Sequence, residues 1–173
     1  MKALRTMTVV LALAALGGCA SEALEADPAP VLAAHARWLV APFANYTTTP
    51  GAGSRAASLT AALLSVHLHG ALVIARPRAH AGLPLATAPD PKAWQAAARA
   101  RGARYIVEGA VQEWRYTIGL DGEPAVAITV SVVSARTGRV LWTAAGSRSG
   151  SPRESVGVLA QDTLNAMLHR LTS

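Results

Sequence analysis

The segment from Arg104 to Ser147 constrains the fold more than any other, because its apolar residues repeat with the period of a strand. Val126, Ile128, Val130 and Val132 alternate with Ala127, Thr129 and Ser131, which places one apolar face on a core and a more polar face outward. Before them runs Tyr105 to Trp114, rich in β-branched and aromatic residues, and after them Arg139 to Thr143. Leu120–Asp121–Gly122–Glu123–Pro124 carries strong turn chemistry. Ser134–Ala135–Arg136–Thr137–Gly138 supplies a glycine where a hairpin loop needs positive φ. The segment therefore predicts a three-stranded antiparallel meander.

The flanking chain predicts what packs on that meander. Trp38 to Phe43 reads as a short buried strand. A helix capped by Ser54 or Ser58 runs to about His69, with Leu59, Leu63 and Val66 on one face and Gly70 as its stop. Ala71 to Ala75 is a further strand, and Arg76 to Pro89, broken by prolines, is an irregular crossover. Asp90 and Pro91 open a helix that carries Trp94, Ala97, Ala98 and Arg101 on one side and ends at Gly102. Ser151–Pro152–Arg153–Glu154 reads as a capping box that starts a last helix. Val156, Leu159, Thr163, Leu164, Met167, Leu168 and Leu171 form its core stripe. The expected fold is a single α+β (α/β) domain, order β-α-β-α-β-β-β-α, with about five strands in a mixed sheet and three helices. The two crossovers demand parallel strands.

The N-terminus reads as an address. Residues 1–18 have Lys2 and Arg5, an apolar run from Met7 to Leu16 and small residues before a cysteine, which is the pattern of a secretory signal too short to span a bilayer. Leu16–Gly17–Gly18–Cys19 resembles a bacterial lipobox, so Cys19, the one cysteine in the chain, is the expected lipidation site. Several acyl chains, at about 0.8 kcal/mol per buried methylene, would hold the protein on a bilayer. Ala20 and Ser21, with no Asp, match the sorting pattern of the outer membrane, periplasmic face. Residues 19–37 contain Pro28 and Pro30 and little apolar periodicity, and read as a lipidated tether before a globular domain at 38–173.

Chemistry is sparse. His67 and His69 are two apart, a spacing that points them to different sides of a helix, and His35 and His80 have no companions, so no metal site is expected. There is no Gly-x-Ser-x-Gly elbow, and Gly51–Ala52–Gly53–Ser54 lacks the residues of a phosphate cradle. By strand parity Glu108 and Glu113 fall on opposite faces, poor placement for paired-carboxylate work. No catalytic constellation and no cofactor are expected. The formal charge is +6, falling to +4 once Lys2 and Arg5 leave with the signal. That surplus is scattered and has no aromatic ladder beside it, which argues against nucleic acid. Asp121 and Glu123, at an exposed turn, are the candidate acidic rim for a cationic ligand.

Three stretches carry a family resemblance. Trp38–Leu39–Val40–Ala41–Pro42–Phe43–Ala44–Asn45, Gly102 to Gly109, and Ala135–Arg136–Thr137–Gly138–Arg139–Val140–Leu141–Trp142 resemble the periplasmic lipoproteins that include the curli secretion lipoprotein and the peptidoglycan-synthase activators. The small size, and Gly146 to Ser155 feeding straight into a last helix, look most like the branch that serves export of the cationic Pel exopolysaccharide. That resemblance implies a homo-oligomeric ring with an acidic lumen on the periplasmic face of the outer membrane. The ring would guide the cationic polysaccharide to the outer-membrane export porin of its system. A net charge of +4 fits an acidic lumen only if acids and arginines occupy different faces. The resemblance also implies aromatic residues at the bilayer interface, with Trp142 as the candidate; a core role is an equal alternative, because a strand Trp is normally packed.

Two other readings stand beside this one. A monomeric regulator that activates a cell-wall synthase would need a long tether, and Ser21 to Arg37 reaches only about 60 Å at about 3.5 Å per residue. A secretion-pore subunit would need a barrel-forming insertion, for which Arg76 to Pro89 is too short and too rich in proline.

Overall fold

The computed structural model describes residues 21–33, 35–68, 72–74, 91–116 and 123–173. The meander forms as the alternation predicts, with longer strands: β5 (Tyr105–Tyr116), β6 (Pro124–Ser134) and β7 (Val140–Ser149) pair antiparallel in sequence order. Gly138 takes φ +73°, and its N–H closes the hairpin on the Ser134 carbonyl at 2.8 Å. The other hairpin's tip, with Asp121, lies outside the described residues, as do Asp90, Gly70 and the crossover at 76–89.

Two short strands continue the sheet in parallel. β2 (Trp38–Val40) lies between β5 and β4 (Leu72–Ile74) and is parallel to both, as the crossovers required. The run from Trp38 to Phe43 is not one continuous strand. Pro42 has no N–H to give the ladder, so pairing lapses there and resumes on β5 as β3 (Ala44–Asn45).

The largest departure from expectation is at the N-terminal side. Residues 22–26, read from sequence as tether, form an edge strand, β1 (Glu22–Ala26), antiparallel to β7. Among the described residues the sheet thus has seven strands, ordered β1-β7-β6-β5-β2-β4 with β3 alongside β5. Only Leu24 of β1 packs on the core, so the strand carries no periodicity to read. What holds it is pairing: Ser21 Oγ meets Ser149 Oγ at 2.8 Å, and Arg148 reaches the Glu22 carboxylate at 2.6 Å. Beyond β1 the chain still hugs the domain, with the Ala33 N–H on the Tyr105 hydroxyl at 2.8 Å.

Among the described residues three helices cover the sheet, α1 (Ala52–His67), α2 (Pro91–Ala100) and α3 (Val156–Thr172). α1 and α3 share one face, where Leu64, Leu159, Leu164, Met167 and Leu168 meet Val107, Ile128, Val130 and Trp142. α2 covers part of the other face, where Ala98 packs with Leu39, Ala41, Ile106 and Val133.

Two helix starts differ from the sequence reading. α1 begins at Ala52 behind Gly51 in the left-handed region (φ +74°), so Ser54 sits within its first turn and Ser58 Oγ donates back to the Ser54 carbonyl. α3 begins later than expected, capped by Ser155, whose Oγ accepts from the Gly157 N–H at 3.2 Å. Ser151 to Glu154 instead closes a turn on itself: the Glu154 N–H donates to the Ser151 carbonyl and the Glu154 carboxylate accepts from the Ser151 N–H. The predicted stripe on α3 is buried from Leu159 to Leu171. Gly109 permits the tight seam between β5 and the β2–β3 junction, because a Cβ there would lie 2.7 Å from the Phe43 ring and against the Thr129 carbonyl.

Candidate interaction surfaces

The sheet has two ends of different charge. At one end meet the start of β1, the end of β7, the start of β6 and the end of β5. Ser21 and Ser149 pair there, and the Gly150 N–H donates to the Pro124 carbonyl at 2.9 Å. Glu123 stands exposed beside Pro124 at this end. Ala125 faces Ser149 in the register, so Ser21 and the base of the Glu123 turn are separated by about 10 Å, two strand spacings. Glu22, Glu113, Glu154 and Asp162 lie on the same half of the domain. Of its arginines, Arg148 is held between Glu22 and Asp162, and Arg115 pairs with Glu113.

The opposite end is arginine-rich. Arg37 precedes β2, Arg104 precedes β5, and Arg136 and Arg139 sit on the β6–β7 hairpin, all exposed. Arg99 and Arg101 extend from the C-terminal end of α2, where a carbonyl-rich helix terminus accommodates cations. Asp27 is the described carboxylate at this end, and it accepts from the Thr143 N–H at 2.9 Å. The arginine end is thus basic, whereas the Glu123 end mixes its acids with Arg55, Arg115, Arg148 and Arg153, so acids and arginines are only partly segregated.

Trp142 is not an interface residue. It is fully buried between the sheet and α3, and its indole N–H donates to the Asp27 carbonyl at 3.0 Å. Alternation decides this: the β7 residues that face α3 are Trp142, Ala144 and Gly146, and a strand Trp on the covered face is packed. Among the described residues the exposed large aromatics are Tyr46, 66% exposed, beside the second half of β5, and Tyr116, 46% exposed, whose hydroxyl donates to the Pro152 carbonyl.

The open sheet face corrects a second expectation. β5 carries a bulge between Val111 and Glu113, and Gln112 is the extra residue. One added residue reverses strand parity. Glu108 pairs opposite Ser131 and Glu113 opposite Ala127, positions of equal parity on β6, so the two carboxylates share a face. They remain about 13 Å apart, four residues along β6, beyond the reach of paired-carboxylate chemistry. Strand parity cannot reveal a bulge, and no residue in Val111–Gln112–Glu113 announces one.

Glu108 is half-buried, and desolvation raises its pKa above the ordinary carboxylate value. A raised folded-state pKa favours the native state below the unfolded value and loses that contribution as pH rises through the folded value. Glu108→Gln is therefore expected to raise the thermal midpoint at pH 7 and to lose that advantage below about pH 4. Melting curves across pH check it, and an unchanged midpoint at pH 7 would contradict it.

His67 Nε2 bonds Asn165 Oδ1 at 2.9 Å, His35 is exposed, and His69 and His80 lie outside the described residues. Among the described residues no group of three His, Cys, Asp or Glu side chains could hold a metal, and no helix is long and apolar enough to cross a membrane.

No family model matches the sequence. Nor does any curated protein match it significantly. Solved structures do. A PelC dodecamer from Paraburkholderia phytofirmans is 32% identical with a TM-score of 0.72, the match covering 88% of this chain and 99% of that one. A point variant of the same dodecamer gives 33% identity and a TM-score of 0.73 over the same shares. Lipoprotein GNA1162 from Neisseria meningitidis has the same fold at 23% identity and a TM-score of 0.56, covering 78% of this chain and 99% of its own.

Proposed function

Because the chain belongs to the PelC family, we propose that it is a non-enzymatic, lipid-anchored protein of the outer membrane that assembles into a closed periplasmic ring. The ring guides a cationic exopolysaccharide to its outer-membrane export barrel. The observation that carries this reading is the likeness to PelC dodecamers over 99% of their subunit. A ring of identical subunits needs a head-to-tail contact that closes.

The anchor follows from the sequence and gains an orientation from the fold. Only Ala20 separates Cys19 from Ser21, so a lipid on Cys19 attaches within about 8 Å of the Glu123 end of the sheet. β1, together with the bonds from Asp27 to Thr143 and from Ala33 to Tyr105, holds the segment from 21 to 33 against the domain and takes it out of a periplasm-crossing tether. Both points favour a protein that works against its own membrane over a regulator that reaches a distant synthase. In this orientation the Glu123 end faces the bilayer, and the acids of neighbouring subunits gather where a cationic polymer would enter the barrel. The arginine end faces the periplasm.

Native mass spectrometry of the protein extracted from membranes in a neutral detergent tests the assembly. The expected result is one discrete species of many subunits, twelve if the ring matches that of its relatives. A monomer stable across concentrations would overturn the ring reading and point to a synthase regulator.

A further inference from the structure

We propose that the ring closes by stacking layers: the open face of the sheet in one copy seats on the outer surface of α1 and α3 in the next. The register defines the open face. Val126, Ile128, Val130 and Val132 are buried in the core under α1 and α3, so Ala127, Thr129 and Ser131 point the other way. Their partners across the sheet share that side. Glu113, Ala127, Ser147 and Ala23 make one row over four strands, and Ala110, Thr129, Ala145 and Glu25 make the next. Ala23, Glu25, Ala145 and Ser147 are exposed. α2 packs at one end of this side only, on Leu39, Ile106 and Val133.

Such a face can be approached closely. Apart from carboxylates, the two rows hold only Ala, Ser and Thr. Side-chain hydrogen bonds on this side run within the sheet, Gln112 with Thr129 Oγ1 at 2.7 Å and Ser131 Oγ with Thr143 Oγ1 at 3.2 Å. A partner seated there immobilises few long side chains, so association loses little rotamer freedom.

The opposite surface of the same chain supplies the complement. An apolar groove between the first turns of α1 and α3 is lined by Leu59 and Val158 over Trp114, with Ser54 and Ser58 on its α1 side. Val158 is 52% exposed. Arg55 is the charged residue that lines the groove, whereas the open face carries Glu25, Glu108 and Glu113. Glu113 and Trp114 are adjacent on β5 and point to opposite sides, so the acid and the groove lie back to back at one level. Copies rotated about an axis along the strands meet at equal levels, which sets Glu113 of one copy against Arg55 of the next.

A second copy is the occupant that this arrangement selects. Two different faces on opposite sides of one chain are what a head-to-tail contact joins, and repeating that contact builds a ring rather than a pair. Pairing two open faces with each other would bring Glu25, Glu108 and Glu113 against their own kind. Relatives of this chain form dodecamers. The packing presupposes the ring proposed above, and it holds whichever end of the sheet faces the membrane.

Native mass of the protein extracted in neutral detergent reads the contact. Ala145→Arg sets a long charged side chain in the middle of the open face. Val158→Asp sets a charge in the groove, in a first helical turn that favours an acid. Each should turn the parent's large discrete species into monomer, with melting curves showing a folded domain. Arg136→Gln, on the β6–β7 hairpin and on neither face, should assemble like the parent. Ser58→Cys with Ser147→Cys reads the contact directly, because the one native cysteine, Cys19, is taken up by lipid in the proposed anchor. A short bismaleimide should link neighbouring copies into a ladder of covalent multimers, and either cysteine alone should give no ladder. If a face substitution unfolds the domain, the cysteine pair decides alone. A ring that persists in both face variants, or an assembled cysteine pair that gives no ladder, would overturn the stacking and leave the ring standing. A monomeric parent would overturn the ring itself and the stacking with it, so the two failures are distinguishable.

Discussion

Trp142→Ala is expected to destabilise the domain by about 3–5 kcal/mol, enough to leave little folded protein if its stability lies in the usual range. Trp142 is fully buried in the core that α1 and α3 close over the sheet. Truncation removes its apolar contacts and leaves a cavity that α3 and the sheet can only partly fill. It also orphans the Asp27 carbonyl, which accepts the indole N–H at 3.0 Å and fixes the end of β1 against β7. Trp142→Phe separates the two contributions. The ring still fills most of the space, and loss of the hydrogen bond should cost about 1 kcal/mol. Urea unfolding of both variants checks the order. If Trp142→Ala instead kept full stability and lost only its association with membranes, the residue would be interfacial after all.

How legible the chain was depended on how each element earns its place. The meander, α2 and α3 bury one face, so their residues repeat with a period that the sequence displays. Val126 to Val132 and Leu159 to Leu171 land where that period puts them. β1 buries only Leu24 and is held by backbone pairing with β7, and pairing leaves no side-chain signature. The bulge at Gln112 is equally silent, yet it moves Glu113 onto the face of Glu108. Helix starts misled for a related reason: Ser54 and Ser151 have the chemistry of caps, but Gly51 and Ser155 hold the positions where the chain enters α1 and α3. Trp142 sat in a motif whose resemblance suggested the bilayer, while the general habit of a strand Trp is to be packed, and it is packed in the core. The gathering of arginines at one end of the sheet was beyond the sequence altogether, because Arg37, Arg104, Arg136 and Arg139 are far apart along the chain and come together only across the sheet.

The double variant Asp121→Lys, Glu123→Lys is expected to abolish most polymer export, by about tenfold or more, without unfolding the domain or changing its native mass. Glu123 is exposed, and surface substitutions of this kind usually shift stability by no more than about 0.5 kcal/mol. Their effect on a charged ligand is larger. Each subunit passes from two negative charges to two positive ones at this turn, and a ring repeats that change in every copy around the path of the polymer. Like charges within a Debye length of about 8 Å are poorly screened at physiological salt, so a cationic chain meets a barrier where it formerly met a well. The location matters as much as the sign. Glu123 lies at the same end of the sheet as Ser21, so in the proposed orientation an anchor on Cys19 would present it to the membrane, beside the mouth of the proposed barrel. Secreted polymer measured in the native host, alongside melting curves and native mass of the variant, checks the expectation. Normal export from a folded, fully assembled double variant would remove the acidic rim from the mechanism.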